Sequence, residues 1–441
     1  MHEPTLDDTS EPRPHVPASA ADPSAGACPH AAVSAMPYDP FDPAYCDDPY
    51  RFYDQARRNA PIVYNQRYQA WDITRHADVV AVLKDSARFS SRHNLDFMVP
   101  LPPEVVAVME QGYPEAAGLF NNDPPGHTRV RSLFSVAFTP RRIAAMEPQI
   151  RKLAHDLIDQ FAADGRADLV TQFAHPLPMT VIADLLGIPR EDMAQVKAWH
   201  DHSLTLNVPG LPLEEQLAAA HSRVAYQRYY AAMIEDRRVR PRDDLVTAMV
   251  QARFPDAEPF TVPEMITQLI ILLAAGHETT TSMISNLVRL LLEHPDQWRA
   301  VERDPGLIGA AIDETIRFEA PVQMEPRVAT ADVELDGTLI REGSRVHVLY
   351  GSGNRDAALV DAPDQFNIHR EHPQRHVGFG YGIHFCIGAA LARLEGRVAL
   401  EALRERLPNL RLAPGYAPTY QPSFIFRGPA EVLIEWDAPA A

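Results

Sequence analysis

The sequence predicts a mainly α fold with small β-sheets, organised as one large domain over residues 39–441 around a long central helix. Three observations predict it. A helix over 262–293 has both ends marked, helical segments fill most of the chain with no linker between them, and the strand-like runs are all short. The central helix starts at a capping box formed by Thr261 and Glu264, carries Pro263 in its first turn, and is followed by Pro295. At 1.5 Å per residue it would be about 48 Å long, enough to cross a domain. Its first half is apolar on most sides, as a buried helix should be.

The remaining elements follow in chain order. Residues 1–38 are rich in Pro, Ala, Ser, His and acids without an apolar period, which predicts a disordered extension. Cys28, Pro29 and His30 lie within it, at a spacing too irregular for a metal site, and read as solvated tail. From about residue 47 the pattern gives a helix, two short strands at 61–65 and 70–74, and then mostly helix to about 320. A helix over 307–319 stops at Pro321. Short strands follow at 333–335 and 345–349. The stretch 356–375, rich in Pro and Asp, shows no regular pattern, and a long irregular segment is usually functional when ordered. A last helix begins near Cys386 and runs to about 406, and 409–436 reads as short strands. No internal repeat is present.

Composition excludes several functions. The formal net charge is -18, which makes the chain a poor candidate for nucleic-acid binding while leaving room for one local basic patch. Lysine occurs only at Lys84, Lys152 and Lys197, so nearly all positive charge is arginine. Three cysteines, Cys28, Cys46 and Cys386, argue against a disulfide framework and fit a reducing compartment. The N-terminus has neither the basic nor the apolar region of a secretory signal. The longest strongly apolar run, 269–275, is far short of the roughly 20 residues that span a bilayer. A cytoplasmic protein without a membrane anchor is expected.

The chemistry concentrates in Phe379-Gly-Tyr-Gly-Ile-His-Phe-Cys-Ile-Gly388. Its glycines permit a tight turn with positive φ, and Cys386 falls at the start of the last helix, where backbone N–H groups would stabilise a thiolate and lower its pKa. Gly388 would let a flat cofactor approach the backbone, and Phe379 would shield the sulfur. Such a cysteine serves as a haem ligand, as a nucleophile, or as packing. A nucleophile needs a base and an oxyanion site, neither of which is assignable, and the surrounding glycines, aromatics and histidine argue against mere packing.

The segment resembles the haem-binding loop of the cytochrome P450 family, Phe-x-x-Gly-x-His/Arg-x-Cys-x-Gly, with Phe379, Gly382, His384, Cys386 and Gly388 at its fixed positions. Ala275-Gly276-His277-Glu278-Thr279-Thr280 resembles the family's oxygen-activation motif. A glycine there removes side-chain bulk where the haem face and oxygen must fit. A mid-helix threonine bonding back to a carbonyl makes room for water. The resemblance implies that Thr279 and Glu278 are catalytic, with Glu278 delivering protons. Glu314 and Arg317 resemble the family's structural Glu-x-x-Arg pair. The third partner that the family usually adds is replaced here by Gln365, with Arg370 as substitute. His127, Arg131, Arg327 and His384 match propionate partners of haem. The resemblance covers roughly residues 40–436.

The resemblance implies haem b (iron protoporphyrin IX) with Cys386 as the metal ligand, and Phe379, Gly276 and Gly388 around it. It implies a monooxygenase that inserts one atom of O2 into a small hydrophobic or aromatic organic substrate. No flavin or iron–sulfur pattern is present, so the electron donor is expected to be a separate ferredoxin with its reductase. Docking is expected on the cysteine side, over Arg131, Arg141, Arg142, Arg393 and Arg397. The substrate pocket is expected to draw on 88–122, 200–215, Leu272, Ala275, 322–325 and 423–426. A non-catalytic haem sensor or a peroxide-driven enzyme would not need Glu278 and Thr279, whose presence argues against both.

Overall fold

The computed structural model describes residues 38–437 apart from 95, 97–99 and 255–256. The capping box forms as the sequence implies. The Glu264 side chain accepts from the Thr261 backbone N–H at 2.8 Å, and the Thr261 hydroxyl accepts from the Glu264 N–H at 3.3 Å. It opens a helix over Val262–Glu293.

That helix belongs to two cores. Its first half, through Met265, Leu269 and Leu273, packs with residues of the helices Pro176–Leu186 and Leu213–Val239. Its second half, through Ile284, Leu287 and Leu291, packs against Val398 and Leu403 of the last helix, Ala389–Arg406. A helix with protein on both sides along its length must be apolar nearly all round.

The strands form three small sheets. Five strands run in the order Ile62–Asn65, Ala70–Ile73, Arg345–Leu349, Met324–Ala329, Phe89–Ser90. Ala70–Ile73 pairs in parallel with Arg345–Leu349, and the other pairs are antiparallel. Val333–Leu335 and Thr338–Ile340 form a hairpin whose turn residues Asp336 and Gly337 both have positive φ, 45° and 74°. That combination is the preferred two-residue turn for a right-twisted hairpin. The third sheet joins Arg166–Asp168, Leu433–Glu435 and Arg411–Leu412.

The helix expected at 307–319 spans Ile308–Phe318, and a short 3₁₀ turn precedes it. It holds the irregular stretch in place. Arg317 and Glu314, 1% and 0% exposed, pair through two hydrogen bonds of 2.8 Å. Arg317 also donates to the carbonyls of Asn354, Pro363 and Gln365. Arg370 supplies the third member of the cluster, with its Nε 3.0 Å from Glu314 Oε1, and it donates to the carbonyls of Asp361, Ala362 and Gln365. The position expected to break the pattern, Gln365, takes part only through its backbone.

Some features had no sequence expectation, among them the strands at 89–90, 166–168 and 324–329, the π-helical turn Val170–Ala174, and the hairpin partner Thr338–Ile340. The extension expected over 1–38, with Cys28, lies outside the described residues except for Tyr38. That residue is buried, so the extension ends before it. Its N–H donates to Asp72 at 2.8 Å and its hydroxyl donates to the Phe424 carbonyl. No described helix is long and apolar enough to cross a membrane.

Candidate active site

Between the central helix and the cysteine loop lies a cavity of about 530 Å³. The loop is shaped by Gly380 and Gly382, with φ of 70° and 67°. A Cβ on Gly382 would come within 2.7 Å of the Leu83 carbonyl, so this turn seats the loop on the helix His76–Lys84. The Cys386 N–H donates to the Phe379 carbonyl at 2.8 Å, closing the loop. Phe379 is half-buried, with the Arg393 guanidinium 4.4 Å from its ring centre. Cys386, Gly388, Phe379 and His384 all line the cavity. A Cβ on Gly388 would meet only the Cys386 sulfur, 3.9 Å away, so the space over that backbone is open to a flat group.

The expectation that the helix start lowers the Cys386 pKa does not hold for the protein alone. Burial pushes the thiol up, against the opposing pull of the Gly388 N–H and the Arg131 guanidinium. The helix proper begins at Ala389, three residues on, and loss of water outweighs its field. Ligation to a metal cation would deprotonate such a thiol outright.

Four basic residues gather beside the loop. The rings of His127 and His384 lie 4.3 Å apart, and the Nε2 of each is buried without a partner among the described residues. Arg131, one turn beyond His127 on the helix Gly126–Ala137, donates to the Phe385 carbonyl at 2.7 Å. Arg327 is 3% exposed and pairs with Glu325 at 3.2 Å. Burial, and then Arg327, His127 and Arg131, push the His384 pKa down to about 3. A positive pocket with two orphaned imidazole nitrogens is the environment that buried carboxylates of a cofactor require. The residues present therefore fit haem: a sulfur, an open backbone face and cationic partners for two propionates.

Across the cavity the central helix presents Ala275, Gly276, Thr279, Thr280 and Met283. The Thr279 hydroxyl donates to the Ala275 carbonyl at 2.8 Å, the back-bond expected from the sequence. Gly276 meets a second constraint besides the one expected. A Cβ there would come within 2.8 Å of Ile182 Cγ1 on the helix Pro176–Leu186, so the glycine permits close helix packing, while its backbone still lines the cavity.

Glu278 is not among the cavity-lining residues. It lies near Lys197 and Asp201 of the helix Met193–Leu204, and burial, then Asp201, push its pKa up to about 7. A carboxyl balanced near neutrality gives and recovers a proton readily. Beside it, His277 is fully buried and its Nε2 shares a 2.7 Å hydrogen bond with His175 Nε2. Sequence reading missed His175 and His200. They sit 102 and 77 positions before His277, and nothing local marks them as its neighbours.

The segments expected to form the substrate pocket do meet there. Leu119, Leu204, Leu272, Val322, Met324 and Phe426 are apolar contributors. Glu115, within the expected 88–122 segment, also lines the cavity, as do Arg223 and Gln227, which were not expected.

The fold and this site define a haem-thiolate oxygenase. Residues 63–304 and 306–407 match the family model described as cytochrome P450. A biotin biosynthesis cytochrome P450 of Bacillus subtilis is 35% identical over 396 residues, covering 89% of this chain and 97% of the relative. The mycinamicin IV hydroxylase/epoxidase of Micromonospora griseorubida is 39% identical over 374 residues, covering 83% and 90%. Among solved structures, cytochrome P450 CREJ in complex with (4-ethylphenyl) dihydrogen phosphate superposes with a TM-score of 0.87 at 34% identity, covering 92% of this chain and 100% of that one. P450BioI in complex with an acyl carrier protein ligated to hexadec-9Z-enoic acid gives 0.81 at 34% identity, covering 90% and 99%. The chain belongs to the cytochrome P450 family, whose cofactor is haem b and whose members are oxidoreductases that incorporate oxygen from O2.

Proposed function

We propose that this protein inserts one oxygen atom into a small hydrophobic or aromatic organic molecule, using electrons from a separate ferredoxin and its reductase. The observation that carries the reading is the single cavity that joins Cys386 and Gly388 to Thr279 beneath an apolar lining. Haem, when bound, supplies the binding and reduction of O2, with the thiolate favouring O–O cleavage. The Cys386 sulfur would hold the iron, Arg131 and Arg327 would neutralise the propionates, and His127 and His384 would hydrogen-bond to them. The back-bonded Thr279 would keep a polar niche open in the helix. Glu278, one residue before it and near neutrality in its pKa, would pass protons toward that niche.

Met324, Phe424 and Phe426 line the cavity and favour an apolar substrate body, while Arg223 and Glu115 give polar groups a place on its wall. The relatives named above include a mycinamicin IV hydroxylase/epoxidase and proteins complexed with an aryl phosphate and an acyl carrier protein. That range supports an organic substrate of moderate size with one polar end.

Electron-donor docking is proposed on the cysteine side. Two of the five arginines expected there are already neutralised. Arg393 pairs with Asp313 at 2.7 Å, and Arg397 pairs with Glu147 at 2.6 Å and with Glu401 at 3.2 Å. Arg141 and Arg142 are exposed, as are Phe385 and Tyr381 on the loop itself. Docking therefore centres on Arg141, Arg142 and these aromatics, in a protein we assign to the cytoplasm. The test is a screen for compounds that shift the ferric spectrum from low to high spin, followed by NADH consumption and product analysis with a ferredoxin system. Arg142→Glu should weaken ferredoxin-driven turnover several-fold at low salt without altering the CO-bound spectrum. Unchanged turnover would remove Arg142 from the docking face, and product formed only with peroxide would overturn the donor.

A further inference from the structure

Behind the cavity wall, two helices bring three ligating side chains together. His277 and Glu278 come from Val262–Glu293, and His200 comes from Met193–Leu204. One ligating atom from each of the three lies within 4.8 Å of the others. His277 Nδ1 is 3.5 Å from Glu278 Oε1. His200 and His277 are 1% and 0% exposed. Both nitrogens of His200 and the Nδ1 of His277 have no hydrogen-bond partner among the described residues.

Buried imidazoles are normally satisfied on at least one nitrogen, so an orphaned His200 needs a reason. His277 is different on its two sides. Its Nε2 is held by His175 at 2.7 Å, which fixes the ring and leaves Nδ1 directed to the cluster. Metal-ligating histidines are typically anchored in this way through the nitrogen that does not bind the metal. The neighbouring ammonium of Lys197 is paired with Asp201.

We propose that His200, His277 and Glu278 form a second metal site, separate from the Cys386 pocket, that takes a divalent transition metal and suits Zn2+ best. Two imidazole nitrogens and one carboxylate oxygen are a common zinc donor set, with bonds of about 2.0–2.2 Å. Calcium and magnesium prefer oxygen donors throughout. Ligand atoms no more than 4.8 Å apart reach such bonds through side-chain rotations on the order of 1 Å. His200 also lines the cavity, so the proposed site adjoins it. A metal there would fix the Glu278 carboxylate as a ligand. This consequence, unlike the binding itself, rests on the proton role proposed for Glu278.

The test uses the full-length, haem-loaded protein. Equilibrium dialysis against zinc chloride, with metal analysis, is compared among wild type, His200→Gln and His277→Gln. Each variant is first checked for an intact CO-bound spectrum. Wild type is expected to retain one equivalent more than either variant, which discounts zinc held by other histidines. Equal retention in folded variants would overturn the site. Should a variant not fold, wild-type crystals soaked in zinc chloride decide the matter. Anomalous scattering between His200 and His277 supports the proposal, and peaks only elsewhere refute it. Saturating zinc should also lower turnover by on the order of 10²-fold, reversibly with EDTA and with the haem spectrum intact. Binding without inhibition would count against the proton role of Glu278, not against the site.

Discussion

Replacing Gly276 with alanine separates two reasons for a glycine on the central helix. A Cβ at this position would lie 2.8 Å from Ile182 Cγ1, 3.0 Å from its Cδ1 and 3.1 Å from its Cβ. Ile182 is 3% exposed and cannot swing into solvent. Overpacking of this kind costs about 1–3 kcal/mol, while replacing a mid-helix glycine with alanine returns roughly 1 kcal/mol. The net loss for Gly276→Ala is therefore about 0–2 kcal/mol. Ile182→Ala alone should cost about 2–5 kcal/mol through the cavity it leaves. In the double variant the new methyl occupies part of that cavity, and the two changes should couple favourably by about 1–2 kcal/mol. The assay is denaturant unfolding of the holoprotein followed by haem absorbance, with oxygen consumption measured alongside. Strictly additive losses, with activity still absent in the double variant, would show that the glycine clears space for ligand and not for Ile182.

Three further outcomes follow from the same geometry. Arg317→Ala leaves the fully buried Glu314 with only Arg370 and the Asn367 N–H, and should destabilise by about 3–5 kcal/mol. Arg370→Ala leaves the stronger Arg317 pair intact and should cost only about 1–2 kcal/mol, so equal losses in denaturant titrations would refute this ranking. Burial pushes the Glu319 carboxyl up, but Arg427 at 2.7 Å, Arg289 at 3.6 Å and Arg355 at 4.0 Å prevail and hold it below its ordinary value. A depressed carboxyl stabilises the fold above its unfolded pKa, about 4.3, and loses that contribution as pH falls through the folded value. The stability gap between wild type and Glu319→Gln should therefore be widest near pH 7 and close below about pH 4, and a gap independent of pH would contradict it.

Much of the fold was legible because its signals are local. The capping box, Pro263 and Pro295 set the ends of the central helix, and the short strands at 62–65, 70–73, 333–335 and 345–349 lie within a residue of the pattern. The cysteine loop was legible for the same reason, since its glycines and its cysteine occupy one continuous segment. What escaped depends on distance along the chain. His175 and His200 meet His277 only through the packing of three helices. The sequence also misjudged one magnitude. A helix start seemed enough to lower the Cys386 pKa, whereas burial prevails. Nothing local showed that Ile182 crowds a side chain at Gly276. Glu278 was placed in the reaction by its motif, yet it is not among the residues that line the cavity.

The role of the Cys386 sulfur is tested most directly by the absorption spectrum of the reduced, CO-bound protein. Wild type expressed with haem supply should show the red-shifted Soret band that thiolate ligation produces, and Cys386→Ala should lose it while remaining folded by circular dichroism. A wild-type spectrum of the histidine-ligated kind, or an unchanged band in Cys386→Ala, would contradict ligation at residue 386.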